Sequence, residues 1–257
     1  MSFTPVGAAS THVDTTGLQG GFDFGAGVAW IGIAAGYDYQ WLHDAAGGKG
    51  RDQVASISLY GAIPLGTASL SGVLSYAHGA DTIERATGIG NATANRSFND
   101  FVGAAQLSTQ IHTGGATLTP AAGISFARLS SDPFTETFAR SAAFALTGTT
   151  KDLTSVSPYV TVSLSKTVVT SGGLSITPLA LAGYRYDRGA DGQDITLTAA
   201  DGTIFAGNHA GLPKSAAILG AGLAASQGRW TAYVKYRGSL ASGWTDNYVT
   251  AGLQITF

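Results

Sequence analysis

Apolar and polar residues alternate along most of the chain. In the final segment, NYVTAGLQITF, Val249, Ala251, Leu253, Ile255 and Phe257 fall on one face of an extended strand, and Tyr248, Thr250, Gly252, Gln254 and Thr256 on the other. Successive strand side chains point to opposite sides, so this period predicts one greasy face and one polar face. The division recurs upstream. Ile57, Leu59, Gly61 and Ile63 oppose Ser56, Ser58, Tyr60 and Ala62, and Trp230, Ala232, Val234 and Tyr236 oppose Arg229, Thr231, Tyr233, Lys235 and Arg237. Strands are predicted at about 16–25, 27–41, 53–64, 67–78, 98–112, 115–128, 153–168, 173–186, 214–227, 229–238 and 247–257. Most are longer than soluble strands and match the roughly 9–11 residues that a tilted strand needs to cross a bilayer.

The connections follow a rhythm. Short ones fall near Ala26, Leu65–Gly66, Thr113–Gly114, Val169–Gly172 and Gly228; longer ones are expected at 42–52, 79–97, 129–152, 187–213 and 239–246. Tight turns alternating with larger loops are the pattern of an outer-membrane β-barrel, with turns in the periplasm and loops outside. This orientation puts Tyr37, Tyr39, Trp41, Tyr76, Phe126, Tyr184, Tyr186 and Tyr236 at the outer interface. Trp230 and Phe257 fall at the opposite end, so two aromatic girdles emerge. The expected fold is an all-β, antiparallel, up-and-down transmembrane barrel. Closed single-chain barrels have even strand numbers, so eleven predicted strands imply that a first strand is missing or weakly encoded before Thr15. A substitute from Met1–Val13 would alternate poorly. Residues 1–14 are read as a weakly structured amino-terminal segment and 15–257 as the barrel domain. FTETFARSAAFALT (134–147) is expected to pair as a hairpin arm of an external loop.

Composition narrows the class. Charged residues make up 12%, about half the share usual in soluble domains. No apolar run approaches the roughly 20 residues of a membrane helix. The net charge of −2 leaves no basic face for nucleic acid. Cysteine is absent, which removes disulfides and thiolate chemistry and suits passage through an oxidising compartment. MSFTPVGAASTHV lacks the early cations and apolar core of a secretory signal. Since a barrel must be exported, the chain is expected to belong to a longer precursor.

Several motifs resemble, in order and spacing, the carboxy-terminal translocator domain of monomeric autotransporters (type V secretion). They are GGFDFG (20–25), SLYGA (58–62), LTPAAGISFARLSSDPFTET (118–137), LGAGLAA (219–225) and the terminal AGLQITF. The resemblance covers about residues 15–257. It implies a 12-stranded barrel in the bacterial outer membrane, with a linker in the lumen and a secreted passenger upstream. It also implies a role for Val249, Ala251, Leu253, Ile255 and Phe257 as a signal to the outer-membrane assembly machinery. The family's first strand and linker helix are not recognisable here.

The polar face suits an occupied lumen. Gly32, Ala34, Gly36, Ala104, Ala121, Gly123, Gly220, Gly222 and Ala224 are small, and inward Asp23, Asp38, Arg185, Lys235 and Arg237 would hydrogen-bond a polypeptide or one another. Enzymatic chemistry has little support. His12, His43, His78, His112 and His209 are scattered without metal-ligand spacing. There is no G-x-S-x-G elbow, and the GAGLAA run lies inside a predicted strand rather than opening a helix. DRGADGQD (187–194) lacks the spacing of a calcium loop, and Asp132, Glu136 and Asp152 read as solvated loop acids. No cofactor, metal site or catalytic residue is expected. The competing readings are a free-standing porin or adhesin-like barrel and a soluble β-rich binding or structural protein.

Overall fold

The computed structural model describes residues 2–3, 11–139, 141–189, 194–208 and 213–257. Eleven long strands form the wall: β1 (Thr11–Ala26), β2 (Ala29–Asp44), β3 (Lys49–Leu65), β4 (Ala68–Ala86), β5 (Asn91–Thr109), β6 (Ala116–Ser131), β7 (Leu153–Ser165), β8 (Ser175–Tyr186), β9 (Ser215–Gln227), β10 (Trp230–Ala241) and β11 (Trp244–Ile255). Each pairs antiparallel with the next in sequence. The sheet curls through 299° about an axis, giving an all-β barrel wall. Its two ends are bridged by Ser2–Phe3, which pairs with Thr245 and Trp244 of β11 and with His12 and Thr11 of β1. Below that bridge the edge of β1 has no strand partner among the described residues, and Thr15–Ala26 is exposed on both faces. Met1 and residues 4–10, the rest of the amino-terminal segment expected to be weakly structured, lie outside the described residues.

The greasy faces point out of the cylinder. Leu18 is 85% and Leu253 63% exposed, and Ile57, Leu59, Leu74, Ile124, Leu223 and Val234 are exposed with them. Ile218 is the only large side chain fully buried among the described residues. Among the described residues no second sheet packs on these faces, so the apolar surface needs an apolar solvent; in water, each exposed Leu or Ile would forfeit about 1.5–3 kcal/mol of burial. Among the described residues no helix is long and apolar enough to cross a membrane, which says nothing of a β-barrel.

At the narrow turns, Gly27, Gly66 and Gly228 take positive φ values of 66°, 65° and 59°. Glycine supplies this left-handed backbone without a Cβ clash, and it joins the hairpins tightly. The opposite end differs from expectation. Three connections predicted to be long are mostly strand. β2 and β3 run to Asp44 and from Lys49, where Asp44 Oδ1 accepts from Ala46 N and Gly48 N, both at 2.8 Å. β4 and β5 continue to Ala86 and from Asn91, with Thr82 Oγ1 donating to Asn95 Oδ1 at 2.8 Å across the ladder. The predicted loop at 239–246 shrinks to Ser242–Gly243, so the alternation of long and short connections fails there. The reason is physical: beyond lipid both faces meet water, so hydrophobic alternation fades while backbone pairing continues.

The other two connections are long. They meet in a second sheet ordered Ile204–Asn208, Asp194–Ala199, Leu146–Thr150 and Phe134–Thr135. The predicted hairpin arm is present as Phe134 and Thr135 paired with Gly148 and Thr147. Thr137 and Phe138 dock on Thr93 and Ala92 of β5, burying Phe134, Phe138, Ala92 and Ala94. Glu136 is buried beneath this arm; Arg85 Nε and Nη2 donate to its two oxygens at 2.8 and 2.6 Å. Leu146 N adds a third bond at 2.9 Å.

Candidate functional site

On the outer face, three tyrosine hydroxyls reach toward the loop end. Tyr37 donates to Gln53 at 2.8 Å, Tyr76 to Asn99 at 2.7 Å and Tyr236 to Asn247 at 2.7 Å. Each has its ring over apolar wall and its hydroxyl on a polar neighbour, as interfacial aromatics do. Tyr184 and Tyr186 share this face, Tyr39 stacks on Trp41 at 4.4 Å, and Phe126 meets Phe101 edge-on at 6.2 Å. Phe101 belongs with them although the sequence reading passed over it. At the turn end, the Arg229 guanidinium lies over Trp230 at 5.9 Å. Phe257 is fully exposed just beyond β11. Val249, Ala251 and Leu253 are exposed in line on β11, with Ile255 half-buried at its end.

The inner face is built around a repeated contact. Gly32 lies opposite Tyr60, Gly123 opposite Tyr159 and Gly252 opposite Tyr233. A Cβ at any of these glycines would strike the facing ring. Phe98 covers Gly79 in the same manner. Glycine is therefore required here by close approach of a neighbouring side chain, a role the sequence reading had not separated from strand curvature.

Register places the five predicted polar residues on this face, divided between two regions. Asp23 and Asp38 stand on β1 and β2, whereas Arg185 stands on β8 and Lys235 and Arg237 on β10. They are not brought into contact. The inner face also carries charged residues that the sequence reading missed: Asp52 on β3, Asp81 on β4, and Arg96 and Asp100 on β5. Asp52 pairs with Asp81 and Asp81 with Arg96 across the ladder. Arg96 Nε donates to Asp81 Oδ2 at 2.8 Å. This row lies on the loop side of Tyr37 and Tyr76, outside the apolar band. Burial pushes the Asp52 carboxyl up to about 7, reinforced by the charge of Asp81 and a hydrogen bond with it, and opposed by Arg96.

Near the loop end of the opposite wall, the Arg185 guanidinium lies over the Trp244 ring at 5.3 Å. Trp244 is 3% exposed and Ala216 1%. Arg185 Nε and Nη2 and Trp244 Nε1 are buried without an acceptor among the described residues.

No cluster of His, Asp and Glu capable of holding a metal occurs among the described residues. His12 contacts Asp14, His78 contacts Asn99 and His112 contacts Thr117; His209 lies outside the described residues. Residues 190–193 of the acidic loop also lie outside them. Its flanking Asp187 accepts from Ser155 Oγ at 2.6 Å and Asp194 from Lys151 Nζ at 2.9 Å. Asp152 is paired with Arg128 at 2.6 Å, and that pair together with the Ser130 hydroxyl holds its carboxyl below the usual range.

Against known proteins, residues 5–237 match the family model described as the autotransporter beta-domain. The fold is similar to the translocator domain of the autotransporter NalP from Neisseria meningitidis, with TM-score 0.80 and 15% identity over 100% of this chain and 84% of that one. It is similar to the beta domain of the Bordetella autotransporter BrkA, with TM-score 0.66 and 14% identity over 100% and 95%. The transport unit of the autotransporter AIDA-I from Escherichia coli gives TM-score 0.64 and 12% identity over 100% and 87%. No curated protein matches the chain.

Proposed function

The chain belongs to the autotransporter β-domain family, and on that premise we propose that it is an outer-membrane translocator that anchors and supports export of a passenger polypeptide lying upstream of it. The observation carrying this reading is the sequential wall, greasy outside and polar inside, with small residues where a chain would pass. In this reading a twelfth strand from the amino-terminal side fills the seam between β11 and β1 and closes the barrel. The linker then leads from that seam through the lumen, where Asp23, Asp38, Arg185, Lys235 and Arg237 meet it.

Outer-membrane lipid surrounds the band bounded by Tyr37, Tyr39, Trp41, Tyr76, Phe126, Tyr184, Tyr186 and Tyr236 above and by Trp230 and Phe257 below. Val249, Ala251, Leu253, Ile255 and Phe257 act as the alternating terminal signal for the assembly machinery. Residues 15–257 are the working domain in this scheme. The test is an epitope fused ahead of residue 1, behind a secretory signal, in a Gram-negative host. The epitope should become accessible to antibody on intact cells, and the barrel should migrate faster unboiled than boiled. A folded barrel that leaves the epitope in the periplasm would overturn the proposal.

A further inference from the structure

The inner wall is electrically two-sided. Asp23, Asp38, Asp52, Asp81 and Asp100 occupy adjacent strands β1 to β5, where the inward cations are already bound, Arg96 to Asp81 and Arg85 to Glu136 above it. Arg185, Lys235 and Arg237 occupy β8 and β10. In the strand order, β8 stands about half-way round from β2, and β10 from β4. Among the described residues, no ion pair joins the two sides, and none involves Arg185, Lys235, Arg237, Asp23, Asp38 or Asp100. The acids on the basic side stand higher or apart: Asp187 is bound to Ser155, and Asp246 faces Ser239.

The second observation is the stacked pair at the mouth. Arg185 and Trp244 contribute three buried N–H groups with no acceptor among the described residues. Buried donors are almost always satisfied, so an unsatisfied group needs a partner to explain it. Arginine and indole nitrogens are donors only. The partner is therefore an acceptor, and beside a guanidinium the strongest is a carboxylate.

We propose that Arg185 and Trp244 bind a carboxylate side chain of the polypeptide that occupies the lumen, while the aspartates across the bore face basic side chains on that segment's other side. The charged walls thus set the segment in one rotational orientation. This rests on the translocator reading and adds the chemistry of the occupant. Arg185 holds the carboxylate through two N–H groups, with Trp244 Nε1 beside it. Lys235 and Arg237 extend the attraction below.

The probe is a pair of alanine-rich helical peptides of identical composition, added to the refolded chain in planar bilayers. One peptide carries glutamates and lysines two positions apart, hence on opposite faces; the other carries them four apart, on one face. The opposite-face peptide should block ion current at about tenfold lower concentration, and Arg185→Gln should abolish that advantage, since one charge-assisted hydrogen bond is worth about that factor. Trp244→Phe, which keeps the ring and removes the donor, should weaken block about threefold. The comparison on the wild-type chain holds even if Arg185→Gln does not fold. Equal block by both peptides overturns this inference and leaves the translocator reading standing. No block by either overturns both.

Discussion

Arginine placed at Leu253 should separate a lipid-facing wall from every alternative. Leu253 lies on β11 opposite Ala232, with its side chain on the exposed apolar face. The outer limit of that face on β11 is Asn247, which accepts from Tyr236; the inner limit is Phe257. At about 3.3 Å per residue and a tilt of about 40°, the stretch between them rises about 25 Å along the membrane normal, the height of the apolar band of such barrels. Leu253 then sits within about 3 Å of the midplane by the same rise. A cation there costs about 2–4 kcal/mol. Its neighbour Gln254 faces inward opposite Thr231, so Gln254→Arg should cost less than about 1 kcal/mol, as solvent-exposed substitutions do. Reversible denaturant titration in lipid vesicles, followed by tryptophan fluorescence, measures both. Equal losses for the two variants would refute the assignment of faces.

Other outcomes follow from particular contacts. Arg85→Ala strands the buried Glu136 carboxylate and should cost about 2–3 kcal/mol, below the full buried-pair range because Arg85 is partly exposed; faster proteolysis between residues 132 and 150 would report it. Asp52 binds its proton more tightly folded than unfolded. Its stabilising contribution is therefore complete below pH about 4 and is lost as pH rises through about 7. Asp52→Asn should flatten this pH dependence in amide exchange at the loop ends of β3 and β4, and an unchanged slope would count against the Asp52–Asp81 contact. Gly32→Ala should destabilise by about 1–3 kcal/mol through its clash with Tyr60. Combining it with Tyr60→Ala should be markedly less than additive in the same titration.

How much was legible depended on which solvent a residue meets. Within the apolar band, the two faces see lipid and water, so the phase of Ile57, Leu59 and Ile63 against Ser56 and Ser58 could be read directly. Above it, polar residues stand on both faces, Thr82 and Glu84 on one and Asp81 and Arg85 on the other, and the signal that announces a strand disappears. For that reason the upper hairpin of β4 and β5 read as a loop, and the Asp52, Asp81 and Arg96 row went unseen although it continues the inward phase. The sheet formed by the two long connections was invisible for another reason. Pairing Thr147 with Thr198 joins segments brought together only by the curvature of the wall. Arg185 was assigned to the inner face, but its stacking on Trp244 needed register across β9 and β10. The rings over Gly32, Gly123 and Gly252 likewise required knowing which residues stand opposite.

Those rings have a consequence for the width of the passage. A tyrosine that projected straight across would narrow the bore by most of its own length. Folded into the notch left by a missing methyl, it takes its room from the thickness of the wall instead. At the heights of Tyr60, Tyr159 and Tyr233, clearance for a travelling chain is thus governed by the backbone hoop, and bulky residues line the duct without throttling it.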